Sequence, residues 1–183
     1  CNGNIDVKNH LTLETGSSLK CENSKLKIVS SGILDIKSDA EVICKHFYFD
    51  SNINHSGYIT NGIITAGGDV EIRENFYASG DNEFCIVGSN VHTINMWSKI
   101  IDEQQYFNRF HVVGNGIEVL EVKEPFRCLD SSGFVMDDWS WLKLDYYSED
   151  FQFTSTKPAT KDLQNILQTG VMLAIAKEGE MKN

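Results

Sequence analysis

The feature that most constrains the fold of this chain is a short hydrophobic pattern that recurs about every seven residues. Apolar residues stand in pairs at alternate positions, and polar residues flank them. Seven such pairs fill the first 50 residues: Ile5/Val7, Leu11/Leu13, Leu19/Cys21, Leu26/Ile28, Leu34/Ile36, Val42/Cys44 and Phe47/Phe49. Alternation of this kind is typical of half-buried β-strands. Turn residues such as Asn9, Gly16 and Gly32 lie between the pairs, so each predicted strand is short.

The cysteine residues show a longer period. Cysteines at positions 1, 21, 44, 85 and 128 are separated by 20, 23, 41 and 43 residues, close to one or two multiples of about 21. Three short strands with their corners make one coil of that length, which is typical of a β-solenoid. Hairpins in an antiparallel sandwich are the alternative interpretation of the same short strands.

We therefore predict an all-β fold, a right-handed parallel β-helix with three sides and about 21 residues per coil. In this geometry Leu19 and Cys21 lie directly below Val42 and Cys44. An odd number of cysteines without a CxxC motif favours buried thiols over disulfides, and it predicts no metal site.

Composition and charge exclude some function classes. The 183 residues are 41% hydrophobic and 23% charged, which is enough for a domain with a sizeable core. The formal net charge of -10 opposes binding to phosphate backbones, so no nucleic-acid partner is expected. The longest uninterrupted apolar run, 171–176, is much shorter than the roughly 18 residues of a membrane span. Because the chain begins at Cys1 within a strand pattern, we expect it to be part of a longer protein.

Three segments are predicted: a β-solenoid over 1–116, a solenoid end or irregular β extension over 117–157, and a C-terminal α-helix over 158–183. The predicted helix places Leu163, Ile166, Leu167 and Ala174 on one apolar stripe, with Thr156 or Thr160 as its N-cap. We expect this helix to act as a cap over the open C-terminal end of the solenoid, because an apolar face must be buried.

Carboxylates and tryptophans concentrate at 137–147 and give one candidate site. Asp138 and Asp145 are the catalytic candidates, since paired carboxylates serve polysaccharide-cleaving enzymes as acid and base or nucleophile. Trp139 and Trp141 are candidate sugar-stacking platforms. A solvated acidic loop with structural tryptophans is the favoured interpretation of this segment. No nucleophile elbow of the G-x-S-x-G type occurs, and Gly62, Gly67 and Gly68 do not form a phosphate-binding loop, since no Lys-Ser/Thr follows them. No cofactor is predicted.

Four phrases between residues 57 and 113 are more specific: GYITNG, GGDVEI, FYASGDNEFCIVGSNVHTINM and YFNRFHVV. They resemble a repeat module of large secreted or surface-attached bacterial proteins, and a looser match extends over roughly residues 3 to 115. His92 stands where that module usually has Gln, and Phe110 where it usually has Leu. The resemblance implies a β-solenoid stalk or carrier in adhesin-like or toxin-bearing proteins, and it brings no catalytic residues.

The expected function is thus a non-enzymatic structural or carrier module of a larger exported bacterial protein, located outside the cell or on its surface. Its expected partners are neighbouring coils or domains of the parent protein, with a carbohydrate or another protein as further candidates. A carbohydrate-active enzyme, hydrolase or lyase, or a carbohydrate-binding module at 137–147 is the first alternative. The second alternative is that 117–183 belongs to a toxin or partner-binding region.

Overall fold

The computed structural model describes residues 3–88, 91–96, 105–113, 118–122, 127–129, 133–136, 140–144 and 172–175. Every regular element in these ranges is a β-strand, and all their pairings are parallel. The strands are β1 Ile5–Val7, β2 His10–Leu13, β3 Ser18–Ser30, β4 Ile33–Ile36, β5 Glu41–Ser51, β6 Ile63–Ala66, β7 Val70–Ile72, β8 Glu83–Val87, β9 Val91–Met96, β10 Tyr106–Phe107, β11 Arg109–Val113, β12 Glu118–Val122, β13 Arg127–Cys128, β14 Phe134–Met136, β15 Ser140–Leu144 and β16 Met172–Ile175.

The strands stack into three ladders that the chain visits in turn. The first ladder contains the first halves of β3 and β5, then β6, β8, β11 and β14. The second contains β1, the second halves of β3 and β5, then β7, β9, β12, β15 and β16. The third contains the pairs β2–β4 and β10–β13 and two isolated parallel bridges. The predicted all-β parallel solenoid is confirmed.

The predicted stacking of the first coils is also confirmed. Leu19 pairs with Val42, and Cys21 pairs with Cys44. Cys21, Val42 and Cys44 are almost fully buried. Side chains of alternate residues point to the same side of a strand. Like residues therefore lie above one another inside the tube, where each coil covers the apolar residues of the next.

Coil length is not constant. Partners in the ladders are 20 positions apart for Ile64 and Phe84, and 31 apart for Trp141 and Met172. A local example lies at the corner of β3, where the register shifts between Cys21 and Lys25. At this corner the three residues 22–24 of β3 lie opposite the single residue Lys45 of β5. The first ladder stays paired before the corner, and the second ladder stays paired after it.

Six phenylalanines fill the middle of the tube, each less than 2% exposed: Phe47, Phe49, Phe76, Phe84, Phe107 and Phe110. Phe84 lies at the centre of this group. Its ring centroid is 5.3 Å from that of Phe47, 5.0 Å from that of Phe107 and 5.9 Å from that of its ladder partner Phe110. Edge-to-face and stacked contacts of this kind add stability beyond the buried area alone.

Two corners require glycine. Gly62 and Gly80 both adopt positive φ angles, 68° and 63°, where side chains with a Cβ are strained. A Cβ at Gly62 would also clash with the carbonyl oxygen of Ala40, and one at Gly80 would clash with that of Thr60. Each glycine thus lets one coil turn tightly against the coil before it.

Four residues of the predicted C-terminal helix form a β-strand in the structure. Within 158–183 the structure describes only β16, and these four residues pair in parallel with β15 instead of forming helix. The physical reason is that a short apolar run with Val and Ile suits a buried strand as well as a buried helix, and periodicity alone does not separate the two. The rest of the predicted helix lies outside the described residues, and the three predicted segment boundaries stay predictions.

The part of the chain that the structure describes contains no helix that could cross a membrane.

Candidate functional site

The most chemically varied group of side chains lies on the outer side of the first ladder. Phe84 and Ile86 of β8 are buried in the core, so Cys85 between them points outward. Cys85 belongs to a column of register partners that we call the outer column: Lys20, Ile43, Thr65, Cys85, His111 and Val135. Glu83, two residues before Cys85, points to the same side. The ladder therefore brings Glu83, Cys85 and His111 together, and we call these three residues the outer cluster.

The carboxylate of Glu83 holds the outer cluster together. Its Oε1 accepts a hydrogen bond from the Cys85 thiol at 3.4 Å and lies 3.1 Å from His111 Nδ1. Because a carboxylate can only accept, Nδ1 carries the hydrogen in this contact. One ligand atom from each residue lies within 4.8 Å of the others. The same oxygen of Glu83 thus contacts both the thiol and the imidazole.

The outer cluster is partly open to solvent. The side chains of Glu83 and His111 are 27% and 26% exposed, while Cys85 is buried between them. Arg109 of β11 is the nearby cation: its Nη1 lies 3.9 Å from Glu83 Oε2, and its Nη2 lies 3.6 Å from a carboxylate oxygen of Asp81. The guanidinium thus approaches one oxygen of Glu83, and the thiol and imidazole approach the other.

An acidic groove of about 530 Å³ begins at Glu83 and Arg109 and runs along the corners before the first ladder. Its charged lining is Asp39, Glu41, Asp81, Glu83 and Arg109. Negative potential from four carboxylates against one guanidinium attracts cations to this side of the molecule.

Buried amides fix the same corners. Asn82, fully buried, donates from Nδ2 to the carbonyl oxygen of Asn61 at 2.9 Å, and Asn108 donates to that of Gly80 at 2.8 Å. Each asparagine directly precedes a strand of the first ladder. The two side chains join successive coils and so position the ends of β8 and β11, which carry the outer cluster.

His55 has a structural role. It is fully buried, its Nδ1 lies 2.6 Å from the carbonyl oxygen of Ile53, and its Nε2 accepts from the backbone N–H of Leu34 at 3.2 Å. Both ring nitrogens are thus satisfied in the neutral form. Burial lowers the pKa of His55, and burial also lowers the pKa of His92, which is 2% exposed.

These two histidines predict acid sensitivity. In the unfolded chain an imidazole binds its proton near pH 6.5, whereas in the folded state the lowered pKa delays protonation to more acidic pH. Between these two values the unfolded state binds more protons, so the free energy of unfolding falls as the pH falls. For each histidine the slope is at most about 1.4 kcal/mol per pH unit, reached where the imidazole is protonated in the unfolded chain and neutral in the folded one. Urea unfolding between pH 7.5 and 5 measures it.

A His55→Gln variant should show a smaller slope of the free energy of unfolding against pH, because the contribution of this imidazole is removed. Equal slopes for native protein and His55→Gln would contradict the role of His55.

The sequence-predicted site residues are only partly visible. Asp138, Trp139 and Asp145 lie outside the described residues, so the carbohydrate-site hypothesis stays a prediction. Trp141 lies on β15, where it is the register partner of Val119 and Met172.

Sequence reasoning missed the outer cluster. Its members are 2 and 26 positions apart in the chain, a spacing that matches no metal-binding motif read along one strand. A signal was nevertheless present, because the alternation of Phe84/Ile86 and of Phe110/Val112 predicts that Cys85 and His111 face outward. The four described cysteines are all buried, as predicted, but Cys85 is buried on the outer side and not in the tube.

The comparisons add no relative: the chain matches no protein-family model, no curated protein and no solved structure. The class that the fold defines is a parallel β-solenoid.

Proposed function

We propose that this chain is a non-enzymatic structural module, a rigid β-solenoid stalk or carrier within a larger exported bacterial protein. The observation that carries the proposal is the unbroken outer column, in which six residues from six successive strands of the first ladder stack in register. A stack of this kind over one continuous core gives stiffness along its axis, because each coil is held by the coils on both sides.

The finer parts of the proposal come from the sequence. They are a right-handed, three-sided coil of about 21 residues, and a helical cap within 158–183 outside the strand at 172–175. The resemblance to a module of adhesin-like or toxin-bearing proteins supports a place outside the cell or on its surface. The neighbouring coils or domains of the parent protein are the proposed partners.

Distances between two spin labels test the stiffness. Labels at Lys20→Cys and Val135→Cys are five ladder steps apart, which corresponds to about 24 Å between backbones at the usual strand spacing. Cys1 and Cys85 are replaced by serine. The remaining thiols are buried, and burial raises the pKa of Cys44 to about 12, so almost none of it is reactive thiolate.

A stiff stalk gives one narrow distance distribution for this pair. Moving the second label to His111→Cys, one step nearer, should shorten the distance by about 5 Å. A broad distribution, or the same distance for both pairs, would contradict the proposal. Cleavage of a polysaccharide that is lost in Asp138→Asn would support the carbohydrate-active alternative instead.

A further inference from the structure

We propose that Glu83, Cys85 and His111 bind one divalent ion of the zinc type, which clips two adjacent coils together. Glu83 and Cys85 lie on β8 and His111 lies on β11, so the ion would join residues of neighbouring strands in the first ladder. This inference is independent of the stalk proposal, since either can fail alone.

The donor set selects the class of metal. Thiolate, imidazole and carboxylate together suit zinc and similar first-row ions, whereas magnesium and calcium prefer oxygen ligands alone. Three protein donors leave one position of a tetrahedral site for water or another ligand. The partial exposure of Glu83 and His111 gives that position access to solvent.

Two of the three distances between the ligand atoms already fit such an ion. Tetrahedral zinc with sulfur at 2.3 Å and nitrogen or oxygen near 2.1 Å places its ligand atoms about 3.3–3.6 Å apart. In the outer cluster the two hydrogen-bonded contacts are 3.1 Å and 3.4 Å, and all three atoms lie within 4.8 Å of one another. The ladder register already sets this arrangement, so little ordering is needed on binding.

The electrostatics favour a cation at this position. Binding would release the thiol proton to solvent and move the imidazole hydrogen from Nδ1 to Nε2, which frees the Nδ1 lone pair for the ion. The Glu83 oxygen that accepts both contacts would become the third protein ligand. Arg109 opposes a second positive charge, but it lies near the other oxygen, Oε2. The carboxylates of the acidic groove offset this repulsion.

Titration of the metal-free full chain with Zn²⁺ and Co²⁺ tests the site. We expect one equivalent to bind, and the Co²⁺ form should show the visible bands of tetrahedral coordination and a near-ultraviolet thiolate charge-transfer band. Cys85→Ser, His111→Gln and Glu83→Gln should each weaken Zn²⁺ binding by more than the 10- to 100-fold typical of outer-shell changes. Zn²⁺ should also raise the melting temperature of the native protein.

The matched controls are Glu41→Gln, a carboxylate of the same groove outside the outer cluster, and His46→Gln, a histidine of the second ladder. Both should bind Zn²⁺ as the native protein does. Native-like binding by Cys85→Ser, or a Co²⁺ spectrum without a thiolate band, would overturn the proposal. If Cys85→Ser does not fold, alkylation of Cys85 in native protein decides: Zn²⁺ should slow it, and an unchanged rate would overturn the site.

Discussion

Replacing Val42 by aspartate will unfold the protein or lower its free energy of unfolding by about 5 kcal/mol or more. Val42 is fully buried between its ladder partners Leu19 and Ile64. A carboxylate there would lose its hydration without gaining a cation. Because a domain of this size has a total stability of only about 5–15 kcal/mol, this one change is expected to be decisive. Circular dichroism and urea unfolding measure it.

The matched control is the same substitution one residue later. Ile43 points outward, is partly exposed, and has Lys20 and Thr65 as ladder partners. Ile43→Asp therefore places a carboxylate beside an ammonium group in water, and we expect a loss of no more than about 2 kcal/mol. Equal effects of the two substitutions would show that the inward and outward sides have been assigned wrongly.

Phe84→Ala is also expected to have a large effect, lowering the free energy of unfolding by about 3–5 kcal/mol. Phe84 is fully buried, and its ring contacts those of Phe47, Phe76, Phe107 and Phe110. Removing it leaves a cavity in the middle of the tube, and the ladders on all sides limit how far the neighbours can relax. Urea unfolding at neutral pH gives the value.

Tyr77→Ala is the control for an aromatic residue outside this core. Its ring packs against Tyr106 at 5.3 Å, and it is partly exposed, so a loss below about 2 kcal/mol is expected. A double-mutant cycle of Phe84 with Phe110 should give a coupling of about 0.5–1.5 kcal/mol. A loss below 1 kcal/mol for Phe84→Ala would contradict the central position of its ring.

The first fifty residues could be predicted well because they carry two signals that agree. Alternation identifies the inward side of each strand, and the cysteine period gives the coil that stacks Cys21 below Cys44. Both signals are local in the sequence or strictly repeated. Where the period becomes uneven, as between Phe84 and Phe110, the register could not be read from spacing alone.

The outer cluster and the buried polar side chains at the corners could not be predicted from the sequence. Cys85 and His111 become neighbours only through register, and a coil of unknown length hides that register. His55 and Asn82 are polar, and polar residues are mostly exposed, yet both are buried because they satisfy backbone groups of the adjacent coil. The residue type alone does not predict that a side chain will bond to the backbone of the next coil.

The uneven corner of β3 has a consequence for how this chain can change over time. Residues 22–24 stand opposite one residue of β5, yet the ladders on both sides keep their pairing. An insertion at a corner is therefore absorbed where it occurs. A single residue added within a strand would instead turn every following side chain of that strand to the wrong side. The changes that the chain tolerates thus depend on the position, both in evolution and in protein engineering. Corners can accept inserted loops, whereas strands accept substitutions but not insertions.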